Sequence, residues 1–586
     1  MPHQIFAGLF NISLTGELNG MSPSLSAREI EPSLYEAELV LRSDAPVSPK
    51  QVRLNWSFPV IDACNEWYPG SLFQHGLSVP WAKPHRSHAT NGAPVKCLHS
   101  ANGTNRLTFA VSDALNPVGL HAGVLEETAE FRCYAEFFHE TGEPIKEYRA
   151  TLRLDARAVS YQDALDGVQV WWAAQPDKHP SPAPETARLP MYSTWYSFHQ
   201  RLDTGAVETQ CRLAKELGCD AVIVDDGWQT MDSSRGYGYC GDWVPERIPE
   251  MRAHVERIHA LGMKFILWYG VPMVGRFSKA FQRFGKKLLR FEERNQNGFL
   301  DPRYPDVREY LIRVYEQAVN DWNLDGLKLD FVDSFYDGPD APRANAEMDI
   351  ASVSAAADRL LSDVIARLRA FKPDIMIEFR QSYIGPLMRK YGNMFRAADC
   401  PNDAIYNRVR TIELRLLSGL TPVHADMLMW NPGEPVERAA LQVLNILFSV
   451  PQVSVLLDKL PANHLDMVRH YLRFWRAYRD TLLDGRLEPL YPEANYPVVI
   501  ASAPNQRIAV AYNDCVVPLR GNLPDEIVII NATVGGRVVV DVERPGTRRF
   551  EILDCQGRPA GTRTADWKTG INVVEIPPSG MAIVRV

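Results

Sequence analysis

The nine cysteines form no C-x-x-C pair, lie scattered between positions 64 and 555, and are odd in number. That pattern supports neither a disulfide framework nor a zinc ribbon. Long apolar runs are also missing: nothing approaches the ~18 consecutive apolar residues that span a bilayer. The opening MPHQIFAGLFNISLTGELNG has no basic region followed by a sustained apolar stretch, so no signal peptide is read. A soluble cytoplasmic protein with no membrane partner is the expectation. Positive charge is not in excess either. The net charge of -8 is spread along the chain, which speaks against nucleic acid as a partner. What the chain does have is length, 586 residues, enough for roughly two to four domains. It also has 13 tryptophans, which suit sugar platforms or a large core equally.

Three textures follow one another. Residues 1–180 read as a β-sandwich domain, with short, partly alternating strands at 37–43, 51–60, 106–114, 127–138 and 147–157 separated by polar or Gly/Pro turns. QPDKHPSPAPETARLP (175–190), with five prolines, reads as a linker. From 188 to 485 short apolar strands alternate with amphipathic helical stretches. The strands are MYSTWYSF (191–198), AVIVDDGW (221–228), KFILWYG (264–270), GLKLDF (326–331), DIMIEFR (374–380), MFRAAD (394–399), PVHADM (422–427) and QVSVLLD (452–458). Leu-Gly at 217–218 and 261–262 places a glycine just past a helix and before a strand. Eight βα units in succession predict a (β/α)8 TIM barrel, with an open doubly wound sheet as the alternative. Residues 486–586 return to short strands and predict an antiparallel β-sandwich. The chain is thus read as multidomain α/β, with a central barrel between two β-sandwiches.

Barrel active sites lie at the C-terminal ends of the strands. The polar residues at those ends are Trp195, Asp225, Asp226, Trp268, Lys328, Asp330, Glu378, Arg380, Arg396, Asp399 and Asp426. Carboxylates beside Lys and Arg fit a glycosidase, a metal site or a Schiff-base lyase using Lys328. In GLKLDFVD, residues two apart share a face. Lys328 and Asp330 therefore point into the barrel, with Leu327, Leu329 and Phe331 toward the helices. A purely internal ion pair is the plain alternative. In DDGW, two adjacent acids can grip sugar hydroxyls while Trp228 faces a pyranose; a capped Asp-Gly turn is the plain alternative. The acid of FRAAD has helix capping as its alternative role, and Asp403 competes for it. No H-x-H follows the first strand, so no metal ligands and no cofactor are assigned, and His424 reads as a hydrogen-bonded barrel residue.

Taken in order, MYSTWYSF, AVIVDDGW, GDW, KFILWYG, GLKLDF and FRAAD resemble the barrel of the α-galactosidases of glycoside hydrolase clan D, families 27 and 36, over roughly 190–480. The resemblance implies a retaining, exo-acting α-glycoside hydrolase working through a covalent glycosyl-aspartate. Its nucleophile falls on Asp330 and its acid/base on Asp399. Lys328 falls on a lysine that binds sugar hydroxyls, and Asp225 and Asp226 on acids that grip the 4- and 6-hydroxyls. Trp195 and Trp268 fall on aromatic walls, and Arg396 near an arginine beside the acid/base. An α-linked oligosaccharide or glycoside is the implied partner, and family 36 relatives are often homo-oligomers.

Three departures stand out. The fifth strand reads IEFRQSY where family 36 carries a Cys/Gly-rich motif, placing Glu378 and Arg380 at the rim. The third ends WYGVP, without the acidic continuation common there. FVDSF follows the nucleophile without the usual Asn. The catalytic parts are thus better matched than galactose specificity, and α-glucosides, α-N-acetylgalactosaminides or β-L-arabinopyranosides remain alternatives. A catalytically dead sugar-binding protein is disfavoured because both acids are present. Two further expectations follow: Lys328 should keep Asp330 ionised, and Asp399 should be dry with a raised pKa. NEWYPGSLFQHGLSVPW (65–81) reads as a connection packed inside the sandwich, or else as a cap over the substrate through Trp67, Tyr68 or Trp81.

Overall fold

A computed structural model describes residues 3–139, 143–338, 341–380, 382 and 384–585. Gln381 and Tyr383 of IEFRQSY lie outside the described residues. No helix among the described residues is long and apolar enough to cross a membrane.

The N-terminal region forms two six-stranded sheets. One runs from Gln4–Ala7 through Phe10–Gly16, Val52–Pro59, Glu130–Phe137 and Val118–Leu125 to His85–Ser87. The other runs from Ser22–Glu31 through Leu34–Val47, Ile145–Asp155, Asn105–Val111 and Val95–His99 to Asn65–Trp67. All their pairings are antiparallel. Their inward faces share one core that includes Phe10, Trp56, Phe109, Phe131 and Leu152. A helix the sequence reading left out, α1 (Tyr161–Ala173), follows, capped by the Ser160 hydroxyl. The proline-rich stretch then lies along the barrel, where the Ser181 amide donates to the Arg389 carbonyl.

The barrel strands are β1 (Met191–Ser193), β2 (Ala221–Val224), β3 (Lys264–Gly270), β4 (Gly326–Asp330), β5 (Met376–Arg380), β6 (Met394–Arg396), β7 (Val423–His424) and β8 (Gln452–Val453). All neighbours pair in parallel, in the spatial order 7-6-5-4-3-2-1-8. Val450 closes the ring next to β7: its amide donates to Val423, and its carbonyl accepts from Ala425. Between strands run helices including α2 (Thr204–Leu217), α3 (Met251–Ala260), α4 (Pro305–Trp322), α5 (Val353–Phe371), α6 (Pro386–Tyr391) and α7 (Ala404–Ser418). Their ends follow the sequence. Asp203 caps α2 through the Ala206 amide, Pro305 opens α4, and Gly218 takes the left-handed conformation (φ 108°) that stops α2 before β2. The strands are shorter than their apolar runs: β1 stops at Ser193 and Trp195–Phe198 is a helical turn, while β2 stops at Val224, before the acids.

Inside, side chains stack in layers. The lowest is apolar: Met191, Ala221, Ile223, Ile266, Met376 and Met394. Toward the mouth, Lys328 lies in register with Glu378, and Gln452 bonds to both Glu378 and His424; Arg380 lies in register with Arg396. The C-terminal region is a seven-stranded sheet on a three-stranded one. It is largely antiparallel, with parallel pairs at Gln506–Ala511 with Glu526–Asn531 and at Val516–Leu519 with Arg537–Val542.

Candidate active site

At the C-terminal mouth a pocket of about 240 Å³ is lined by Trp195, Asp225, Asp226, Tyr237, Trp268, Lys328, Asp330, Phe331, Arg380, Arg396 and Asp399. β4 delivers Lys328 and Asp330 on its inner face, both nearly fully buried. The Asp330 carboxylate is held from several sides. Its Oδ1 accepts from Arg380 Nε at 2.9 Å and from the Phe331 amide at 2.8 Å, and its Oδ2 accepts from Trp268 Nε1 at 3.1 Å. Burial works to raise its pKa, but the charges of Arg380, Lys328 and Arg396 and the indole hydrogen bond win, holding it far below the usual carboxylate range. The expectation that Lys328 keeps Asp330 ionised is therefore met in direction, with Arg380 the larger contributor.

Lys328 Nζ itself donates to Asp225 Oδ2 at 2.5 Å, and both side chains are under 5% exposed. Asp226 accepts from Gln229 Nε2 at 2.6 Å and Gln200 Nε2 at 2.7 Å. Burial and the neighbouring Asp225 charge push it up to about 6 against those hydrogen bonds. The glycine of DDGW is demanded by space: a Cβ on Gly227 (φ 112°) would sit 2.5 Å from the Gln200 backbone. Asp399 follows β6, and its Oδ1 accepts from Arg396 at 2.9 Å. Arg396, 1% exposed, also donates to Asp426, and its Nε lies 3.7 Å from Glu378 Oε1.

Several expectations need correction. Asp399 is not a dry carboxyl with a raised pKa: its side chain is 43% exposed. Burial pushes its pKa up, but Arg396, Lys328 and Arg380 outweigh it, so the carboxyl sits below its ordinary value. Trp228 faces no sugar. It is fully buried, donates from Nε1 to the Trp268 carbonyl, and packs against Trp243, Tyr269 and Trp322, because the chain turns at Gly227 before reaching it. Glu378 does not reach the rim. It pairs in register with Lys328, one layer below the mouth, and accepts from Gln452 Nε2 at 2.6 Å; burial raises its pKa. Phe331 was read as facing the helices. Its φ of 62° breaks the strand alternation and turns the ring into the pocket. Tyr237 was missed altogether; it comes from the long loop after β2, where no strand period marks it.

Neither Trp67, Tyr68 nor Trp81 lines the pocket. Trp67 is buried in the core, Tyr68 packs at a tilt against His85, and Trp81 is 76% exposed. His424 accepts the hydrogen-bonded role read for it, with Ala187 and Gln452 as partners. The Tyr237 loop is pinned from behind. A Cβ on Gly275 would lie 2.1 Å from the Gly238 carbonyl carbon. Gly275→Ala should therefore push Tyr237 outward, cost about 1–3 kcal/mol of stability and weaken substrate binding. Denaturant unfolding together with KM checks this.

The family model described as Melibiase matches residues 186–386. The first part of the barrel resembles the melibiases. The melibiase match includes Asp330 but ends before Asp399. In sequence, residues align to Alpha-galactosidase 2 of Pediococcus pentosaceus at 26% identity over 156 residues, 25% of this chain. They align to Alpha-galactosidase AgaA of Geobacillus stearothermophilus at 28% over 149, 24% of this chain. The chain spans only 22% and 19% of those two proteins' lengths in these matches. In fold the likeness is wider. The crystal structure of AgaA superposes with TM-score 0.67 at 14% identity, covering 98% of this chain and 83% of that one. An α-galactosidase of Lactobacillus brevis gives 0.65 at 15%, covering 98% and 81%. These superpositions take in nearly the whole chain, the regions on both sides of the barrel included.

Proposed function

We propose that the protein is a retaining, exo-acting α-glycoside hydrolase, most simply an α-galactosidase, working through a covalent glycosyl-Asp330 intermediate. The carrying observation is that Asp330 and Asp399 line one pocket of about 240 Å³, a volume suited to a single pyranose. Retaining enzymes hold such carboxyls about 5–5.5 Å apart, one to attack the anomeric carbon and one to donate a proton to the departing oxygen. Asp330 arrives ionised, as a nucleophile must. Asp225 with Lys328, and Asp226 with its two glutamines, form a floor of donors and acceptors for hydroxyls. Trp195, Trp268, Tyr237 and Phe331 supply aromatic faces. Variants of AgaA have been crystallised with raffinose and with stachyose, and such α-galactosyl oligosaccharides are the proposed substrates here. The Schiff-base alternative loses support, since the Lys328 amine is locked in an ion pair with Asp225.

A panel of p-nitrophenyl glycosides in both anomers tests the reading, with proton NMR of the first-formed sugar. Release from the α-galactoside with retained configuration is the expected result. An inverted product, or release only from β-glycosides, would sink it. The pH profile carries a second expectation. Because Asp399 is held below its usual pKa in the free enzyme, its protonated fraction shrinks early as pH rises. Accordingly kcat/KM should be highest on the acid side of neutrality and fall above it. A profile still rising at pH 8 would contradict the assigned proton donor.

A further inference from the structure

The fifth strand puts a guanidinium directly on the reacting carboxylate. Arg380 ends β5, which lies between β4 and β6, the strands leading to Asp330 and Asp399. Its Nε donates to Asp330 Oδ1 at 2.9 Å, and its guanidinium lies 5.2 Å over the Phe331 ring. The side chains are 20% and 8% exposed for Arg380 and Asp330, so little water screens the contact. The N-terminal domain braces this stretch: the Gly92 amide donates to the Ser382 carbonyl at 2.9 Å. Where the loop turns into α6, a Cβ on Gly385 would lie 2.8 Å from the Gly92 carbonyl oxygen.

We propose that Arg380 is a positioning residue that steadies Asp330 as a carboxylate, and that its main kinetic effect falls on the second half of the reaction. The inference rests on the retaining mechanism proposed above. In the first step an Asp330 oxygen bonds to the anomeric carbon, the bond to the departing oxygen breaks, and that oxygen takes the Asp399 proton. The carboxylate charge is consumed as an ester forms, so Arg380 loses attraction and restrains this step. In the second step water attacks the anomeric carbon and gives its proton to Asp399. The carbon–Asp330 bond breaks and the electron pair returns to Asp330 as carboxylate. Arg380 now stabilises the group that leaves, so it assists this step. A plain sugar ligand would bear on both steps alike, and a plain fold support on neither.

Arg380→Gln and Arg380→Lys, compared with wild type on p-nitrophenyl α-galactoside, decide the matter. For Arg380→Gln, kcat should fall about 10- to 100-fold, the size expected for one charge-assisted hydrogen bond. KM should fall by more than kcat does, so that kcat/KM rises, because the first step is freed of the restraint. A p-nitrophenolate burst of one equivalent should appear, and intact-mass spectra should show a hexosyl adduct. Arg380→Lys, which keeps the charge, should recover part of kcat and lose the burst. Unchanged kcat in Arg380→Gln, or a raised KM with kcat intact and no burst, would overturn the inference while leaving the hydrolase reading in place. Wild-type enzyme that turns over no α-glycoside would instead overturn that reading, and this inference with it.

Discussion

Asp330→Asn should lower turnover of an activated α-galactoside by about 10⁴-fold or more, the scale of losing an attacking group from a coupled catalytic set. The substitution is nearly isosteric. The Asn carbonyl still accepts from Arg380 Nε and the Phe331 amide, but its NH₂ then opposes Trp268 Nε1, donor against donor. The geometry is thus kept and the proposed nucleophile lost. Asp330→Gly with added azide should restore turnover and yield a glycosyl azide of inverted configuration, since azide enters where the carboxylate stood. Wild-type rates in Asp330→Asn, or azide giving no product, would remove this residue from the chemistry.

Arg396→Met should destabilise the protein by about 3–5 kcal/mol, the cost of breaking a buried ion pair on one side. Arg396 is 1% exposed and contacts Asp399 and Asp426, with Glu378 close by. Without it Asp426, fully buried, keeps hydrogen bonds from Tyr196 and the Cys400 amide but loses its compensating charge. Asp426 already titrates above its ordinary value because burial outweighs the Arg396 charge. A carboxyl raised in the folded state binds its proton more tightly there than in the unfolded chain. Its contribution to stability is therefore present at low pH and lost as pH rises. The variant's deficit should be larger at pH 8 than at pH 5. Urea unfolding at the two values measures it, and an equal deficit at both would show that Asp426 is not the affected group.

The barrel was legible because its strands are buried on both faces and read as unbroken apolar runs, each followed by a helix with recognisable caps. KLD gave its inward pair by strand period alone. The same period misled wherever the strand had already ended. Trp228 lies beyond a glycine turn, Phe331 takes a left-handed backbone, and Tyr237 sits in a loop without repeat. Glu378 failed for a different reason. Its alternation was right, but it lies two residues before Arg380 on the same strand, deeper in the barrel, where it meets Gln452. In the N-terminal sandwich, Ser22–Glu31 escaped notice because its burial pattern has no fully buried position and so little apolar signal. The ionisation of Asp399 depends on which arginine reaches it in space.

The methionine-rich plug at the base of the cylinder sets how a long saccharide can meet the enzyme. With that end stoppered, a polymer has no way to thread through the cylinder. For the exo-acting hydrolase proposed above, a terminal unit would enter and leave by the mouth alone, so trimming should proceed one unit per visit.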